Sequence, residues 1–468
     1  MEVLVTQAKT LGELKATNYQ VRPVREEMRH NLIAKLQAKE ETFPNIIGYQ
    51  DTVIPQLENA ILSGQDIILL GERGQAKSRI IRSLTSLLDE WVPVLANAEI
   101  PENPFAPISA QGKKIVNHEG DSAEIKWIHR ESRYGEKLAT PDITIADLIG
   151  EVDPIKIAEG RYLSDEEALH FGLIPHTNRG IFAINELPDL AERIQVGLLN
   201  VLEERDVQIR GHKIRLDLDI LIVATANPED YTNRGRIITP LKDRYGSQIR
   251  THYPENILEE ITIMEQEARK LDLGEYREDV PGFMTQIIAE ITQQARRSPD
   301  INQRSGVSVR ASLSNYEALL ANALRRAISV EELDVVPRIS DLPFIMPSLQ
   351  GKVEFEAMEE GREEKIMERL FADAVKAVFD RFTENMDMDS LAVEFSEGIH
   401  VTTGDSLASQ EYEDIIKRID GLDAAVDRLV PNGRSANRAS AVEFILEGLH
   451  INQLLNKDRV GGRSTYSS

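Results

Sequence analysis

Apolar and polar positions follow two rhythms along the chain, and the shorter one marks buried strands. Residues 66–70, DIILL, form a brief apolar run between Gly64 and Gly71. A run of that length with glycines on both sides predicts a strand covered on both faces. Two further runs, GIFAI at 180–184 and DLDILIVAT at 217–225, end in Asn185–Glu186 and near Asn227. Elsewhere the apolar spacing is three-and-four: in DTVIPQLENAILS at 51–63, in SRIIRSLTSLLDEW after the first strand, and in AERIQVGLLNVLEERDVQI after the second. The last of these runs into an expected hairpin strand around 206–216. Strands alternating with amphipathic helices predict an α/β fold with a parallel sheet. Ligands of such sheets sit beyond the carboxyl ends of the strands, where all three runs turn polar.

The flanks read differently. Residues 1–40 are polar and helical in spacing, with Leu11, Leu14, Leu32 and Leu36 as the apolar positions, and Pro44 and Gly48 mark a break. From about residue 256 the strand signal fades into helices, among them NILEEITIMEQEARKL and RASLSNYEALLANALRRAIS. The proline-spaced VVPRISDLPFIMPSLQG at 335–351 reads as a linker, an acidic helical stretch follows, and KDRVGGRSTYSS at the end reads as a loose tail.

At 468 residues the chain exceeds one typical core, so two or three domains are expected. A net charge of -24 repels phosphate backbones and argues against general nucleic-acid binding and anionic membranes. The absence of cysteine excludes disulfides, thiolate metal sites and a cysteine nucleophile, and fits a cytoplasmic location. No segment approaches roughly 18 uninterrupted apolar residues, so no membrane span is expected, and the N-terminus lacks an apolar signal core.

Candidate chemistry begins at GERGQAKS, residues 71–78. Its template is the phosphate-binding loop G-x-x-x-x-G-K-[ST], matched by Gly71, Lys77 and Ser78, with Ala76 in place of the second glycine. Gly71 and Gly74 let the backbone amides of Glu72, Arg73, Gly74 and Gln75 curl toward a phosphate. Lys77 would neutralise β- and γ-phosphates, and Ser78, opening a helix, would ligate Mg²⁺. Ala76 needs a conformation its methyl group tolerates, which a right-handed helical one would provide. The bland alternative is a glycine-containing strand-to-helix turn. In GIFAINELPDL, Asn185 stands where a Mg²⁺-holding acid is expected, and Glu186 where a water-polarising one is. A solvated strand end is the competing reading for Glu186 taken alone. Asn227, after the third strand, can hold the attacking water or touch the γ-phosphate, although by itself a turn before Pro228 is the favoured reading.

In order and wording these motifs resemble the AAA+ ATPases of the magnesium-chelatase small-subunit and MoxR group, over about residues 40–330. FPNIIGYQ, the phosphate loop, GLIPHTNRGIFAINEL, LLNVLEER and ITPLKDRYGSQI carry the likeness. The resemblance implies an AAA+ P-loop core (α/β, a parallel sheet between helices) with an all-α lid and a helical C-terminal extension. The domains expected are an N-terminal segment at 1–40, the core at 41–250, the lid at 251–335, a linker at 336–351, the extension at 352–456 and the tail at 457–468. It further implies Arg244 as an arginine finger reaching a neighbouring subunit's γ-phosphate, against the alternative of a surface arginine paired with Asp243. Arg310 is implied as a second sensor arginine, Ile46, Ile47 and Gly48 as the border of the adenine, and a nucleotide lying between core and lid. The family's insertion and hairpin correspond to residues 140–180 and to DVQIRGHKIRLDL, with Gly211 at the turn.

The function implied by this resemblance is that of a Mg-ATP-dependent ATPase working as a homo-oligomeric ring, a hexamer, that remodels a partner protein carrying an integrin-like (VWA) domain. A MoxR-like role would be chaperone work; a literal chelatase role would be porphyrin metallation, against which the C-terminal extension weighs. Ala76 and Asn185 keep open a nucleotide-binding scaffold with little hydrolysis. A polymerase-contacting activator would need a GAFTGA-like segment, which the sequence lacks. His118, His129, His170 and His176 match no zinc spacing.

Overall fold

Five short strands form one parallel sheet: β1 (Ile67–Leu70), β2 (Tyr134–Leu138), β3 (Gly180–Asn185), β4 (Ile220–Ala226) and β5 (Ser247–Arg250), in the order β2-β3-β4-β1-β5. In this computed structural model the residues described are 8–17, 19–158, 168–203, 216–227, 235–270, 272–303, 305–356, 361–460 and 462–467. The chain divides into two units, Met1–His252 and Tyr253–Ser468.

The apolar runs are continuous because the sheet is buried on both faces. Ile67 and Leu69 of β1, Ile181 and Ala183 of β3, and Leu221 and Val223 of β4 pack on one side. They meet α1 (Val24–Ala38), α2 (Val53–Leu62) and α3 (Lys77–Ser83). Ile68, Phe182, Ile184, Ile222 and Ala224 point the other way, against Ile194, Leu198 and Val201 of α4 (Glu192–Glu203) and Leu241 of α5 (Thr239–Arg244). Each such valine, leucine, isoleucine or phenylalanine, wholly removed from water, stabilises the fold by about 1.5–3 kcal/mol. The registers Leu138↔Asn185, Leu70↔Ala226 and Leu70↔Arg250 bring the strand ends to one edge.

The polar helix α1 is fastened to this sheet by charge as well as by Val24, Met28 and Leu32. Arg133, just before β2, makes a two-pronged ion pair with Glu27 of α1, both bonds 2.7 Å, with side-chain exposures of 0% and 2%. The Val24 amide donates to Asp219 at 2.8 Å. The part of the 140–180 insertion that is described contains a helix at Ile145–Leu148 with a Thr144–Asp147 capping box and an antiparallel pair, Gly150–Val152 with Leu169–Phe171. The expected hairpin around Gly211 lies outside the described residues.

The second unit is built on α6 (Ile257–Glu267), α7 (Gly282–Arg297), α8 (Val309–Ser329), α9 (Arg362–Thr383), α10 (Ser409–Arg418), α11 (Leu422–Leu429) and α12 (Ser435–Ile451). Their apolar faces share one core, with Phe283 and Phe444 stacked at 4.4 Å.

Two expectations fail here. Residues 336–351 are no open linker: Ile339–Ile345 is a 3₁₀ helix running into a helix at Met346–Gln350, and Ile339, Leu342, Ile345 and Leu349 enter the core. Of the prolines that suggested a linker, Pro347 sits in the first turn of its helix, where a missing N–H costs little, Pro343 lies inside the 3₁₀ helix and Pro337 precedes it. The buried Arg326–Asp341 pair at 3.0 Å fixes the stretch further. Nor is the C-terminus a loose tail. Asn456–Val460 and Arg463–Ser467 form a hairpin that pairs with Val401–Gly404, and Tyr466 is 2% exposed. Gly462, with φ 82°, makes the turn, and a single buried tyrosine gives the polar segment its anchor.

Candidate nucleotide site

The loop after β1 is held by its neighbours on the sheet. The Gly71 amide donates to the Ala226 carbonyl at 3.1 Å, and the Thr251 amide to the Leu70 carbonyl at 2.8 Å. A Cβ on Gly71 would run into Thr251 Oγ1 and Gln75 Oε1, so only glycine fits. Gln75, buried, braces the turn from within: its Oε1 accepts from the Glu72 amide at 2.9 Å and from the Thr251 hydroxyl at 2.7 Å. Gly74 takes φ 77°.

Ala76 does not adopt the right-handed conformation expected of it. It caps α3 at φ 53°, ψ 14°, in the left-handed region. The step from loop to helix demands that geometry, which glycine takes freely and a Cβ resists at roughly 1–2 kcal/mol.

Lys77, 7% exposed, folds back into the loop. Its Nζ donates to the carbonyls of Gly71 at 2.6 Å and Glu72 at 2.7 Å, and to Asn227 Oδ1 at 2.7 Å. Asn227, 4% exposed at the end of β4, in turn donates its Nδ2 to Glu186 Oε2 at 2.5 Å. Three of the residues picked from sequence thus form one chain from lysine to carboxylate. The Asn227 amide serves both ends of that chain, accepting from the cation and donating to the anion. Glu186 itself is left-handed, φ 57° and ψ 49°, and its amide donates to Thr225 Oγ1 at 3.0 Å. Ser78 follows Lys77 in α3 and is exposed.

Asn185 is placed beside these groups on β3. Its Nδ2 donates to Glu136 Oε1 of β2 at 2.5 Å, and its Oδ1 accepts from the Thr225 hydroxyl at 3.3 Å. Glu136 also accepts from Arg82 Nε at 2.8 Å, Arg82 Nη2 at 2.9 Å and the Tyr134 hydroxyl at 3.0 Å. The Arg82 hydrogen bonds, more than any other influence, hold the Glu136 carboxyl below its usual range despite some burial.

Sequence reasoning missed Glu136, Thr225, Arg82 and Tyr49. The Tyr49 hydroxyl lies 3.0 Å from the Gln75 carbonyl and 2.6 Å from that of His252, tying the 46–49 segment to the loop. Ile46 is in the core at 3% exposure, Ile47 is half-buried, and Gly48 takes φ 80°. Arg73 is exposed. Arg244 closes α5 and donates its Nη1 to the Pro240 carbonyl at 2.9 Å. Arg310 lies in the second unit, exposed, in the first turn of α8, where its amide donates to the capping Ser308 hydroxyl at 3.1 Å. Among the histidines, the rings of His170 and His176 stand 6.5 Å apart and His129 packs edge-on against Trp91. No group of three or more His, Cys, Asp or Glu side chains suited to a metal ion occurs among the described residues. Nor, among them, is any helix long and apolar enough to cross a membrane.

A phosphate-type loop at the centre of a 2-3-4-1-5 parallel sheet, with acid and amide on the neighbouring strand ends, defines the AAA+ class. The family model of the Sigma-54 interaction domain matches residues 157–242. The magnesium-chelatase subunit ChlI of Nostoc sp. is 27% identical over 53% of this chain and 63% of its own length. That of Anabaena variabilis is 27% identical over 48% and 62%. These matches support an AAA+ ATPase of the magnesium-chelatase ChlI type. The chain spans about three-fifths of the length of these curated relatives, 63% and 62%. A structure of the complex between subunits BchI and BchD of magnesium chelatase, based on single-particle cryo-EM, aligns with 69% of this chain and 98% of its own at 19% identity and a TM-score of 0.35.

Proposed function

We propose that the chain binds and hydrolyses ATP at the carboxyl edge of the sheet and uses the energy to remodel a partner protein. The observation that carries this is the Lys77–Asn227–Glu186 chain, which sets a cation, a neutral amide and a carboxylate in one line beside the loop. On nucleotide binding Lys77 exchanges the Gly71 and Glu72 carbonyls and Asn227 Oδ1 for phosphate oxygens, which are stronger acceptors. The amides of the loop and of the first turn of α3 then face the phosphates. Asn227, released from Lys77, keeps Glu186 Oε2 aimed at a water; that oxygen takes the water's proton as the water oxygen bonds to the γ-phosphorus and the bond to the ADP oxygen breaks, ADP leaving.

Mg²⁺, when bound, would neutralise charge on the phosphates. The donor set suits it: an exposed Ser78 hydroxyl and the amide oxygen of Asn185 are hard oxygen ligands, and such sites use few protein groups beside the phosphates. Ile47 and Gly48 would border the base. Arg244 would serve a neighbouring subunit's γ-phosphate, so the working form is a ring, a hexamer. The named relatives are magnesium-chelatase subunits; the resemblance of the motifs would make the partner one with an integrin-like domain, or a chaperone client of the MoxR kind. The C-terminal extension weighs toward a chelatase-like relative rather than the porphyrin-metallating subunit itself.

Phosphate release by purified protein tests the motor. Glu186→Gln should lower the rate by about 10²–10⁴-fold with ATP binding kept. The strained Ala76 and the neutral Asn185 favour the second reading, a scaffold, which unmodified protein that binds ATP but releases no phosphate would establish.

A further inference from the structure

Asn185 stands where a phosphate-loop enzyme is expected to carry an acid, yet a carboxylate is not missing from the place. Glu136 of the neighbouring strand supplies one, 2.5 Å from the Asn185 amide. An ionised carboxylate only accepts hydrogen bonds. Glu136 is kept ionised and fully engaged by Arg82, by Tyr134 and by Asn185. The side of Asn185 that faces it must therefore be the NH₂, which leaves the carbonyl oxygen on the other side, beside the Thr225 hydroxyl. That hydroxyl receives the Glu186 amide, so the chain of bonds ends on the left-handed residue that aims the water-activating carboxylate. An aspartate at 185 would break this: it has no proton to give Glu136, and two carboxylates at that separation cannot both ionise. Asparagine at 185 and glutamate at 136 are a matched pair carrying one negative charge between them.

We propose, resting on the reading that this edge binds Mg-nucleotide, that Glu136 is a positioning residue of the Mg²⁺ site. It carries the negative charge that the end of β3 lacks, and through the Asn185 amide it orients and polarises the oxygen offered to the hydrated cation. Partners of this kind, one shell out from a metal, change metal affinity by about 10–100-fold when removed.

The test follows fluorescence of mant-ATP with the full chain, in EDTA and over a Mg²⁺ titration. Glu136→Gln should leave affinity in EDTA unchanged and raise the Mg²⁺ concentration for half-maximal effect by about tenfold. Glu136→Gln with Asn185→Asp returns the charge to the strand end and should restore the wild-type midpoint, which a merely structural role for Glu136 would not do. A midpoint unmoved by Glu136→Gln, or unrestored in the double variant, overturns the inference. Wild-type protein that binds mant-ATP neither in EDTA nor in Mg²⁺ overturns the nucleotide reading itself and this inference with it.

Discussion

Lys77 Nζ lies 2.7 Å from Asn227 Oδ1, joining residues 150 apart in sequence. The contact closes the loop after β1 against the end of β4. It means that the lysine of the phosphate loop is already stored, desolvated and satisfied, at the place where it is to act. A buried ammonium without such acceptors would be costly, so the loop carbonyls and Asn227 are what allow the residue to wait there.

The same loop carries strain that a single substitution removes. Ala76 sits at φ 53° in the position a glycine would fill. Ala76→Gly relieves roughly 1–2 kcal/mol in the folded state and loses somewhat less through the freer unfolded chain. The variant should melt slightly higher in a thermal scan. A clear drop in melting temperature would show that the methyl group is held by favourable packing instead.

The Arg133–Glu27 pair predicts a large effect far from the loop. Arg133→Met leaves Glu27 buried with its charge uncompensated, and should destabilise the first unit by about 3–5 kcal/mol in urea unfolding. Adding Glu27→Leu should recover a large part of that loss. A single-variant loss below about 1 kcal/mol would be that of a solvent-exposed pair and would contradict the burial.

Glu136 gives a pH signature. Its folded-state value is lowered, first by the hydrogen bonds from Arg82. The stability it contributes is therefore present above the unfolded-state value, about 4.3. It is lost as pH falls through the lower folded value. In urea unfolding, wild-type protein should exceed Glu136→Gln in stability at neutral pH, and the gap should close on acidification below about pH 4. A gap that widens on acidification has the wrong sign.

The three central strands were legible in sequence because they are buried on both faces and so read as unbroken apolar runs. The outer strands β2 and β5 were not: YGEKL and SQIR keep polar side chains for hydrogen bonds and solvent, and no apolar rhythm marks them. Glu136 was hidden for that reason, since its role depends on a register with β3 that only the paired sheet reveals. The loop, Glu186 and Asn227 could be named from their places after strands. Their joining through Lys77 could not, because it is a contact between distant segments. Asn185 was seen as a defect, and what completes it lies on another strand. The 336–351 stretch misled because its prolines speak for a linker while Leu342, Ile345 and Leu349 speak for burial, and tertiary packing decided the matter.

The central claim is that the loop at 71–78 binds ATP through Lys77. Equilibrium binding of ATP to folded wild-type and Lys77→Met protein tests it most directly. Loss of the charge-assisted bonds to phosphate, about 1.5–3 kcal/mol, should raise Kd by about 10–100-fold. Equal affinity of the two proteins for ATP would contradict the account.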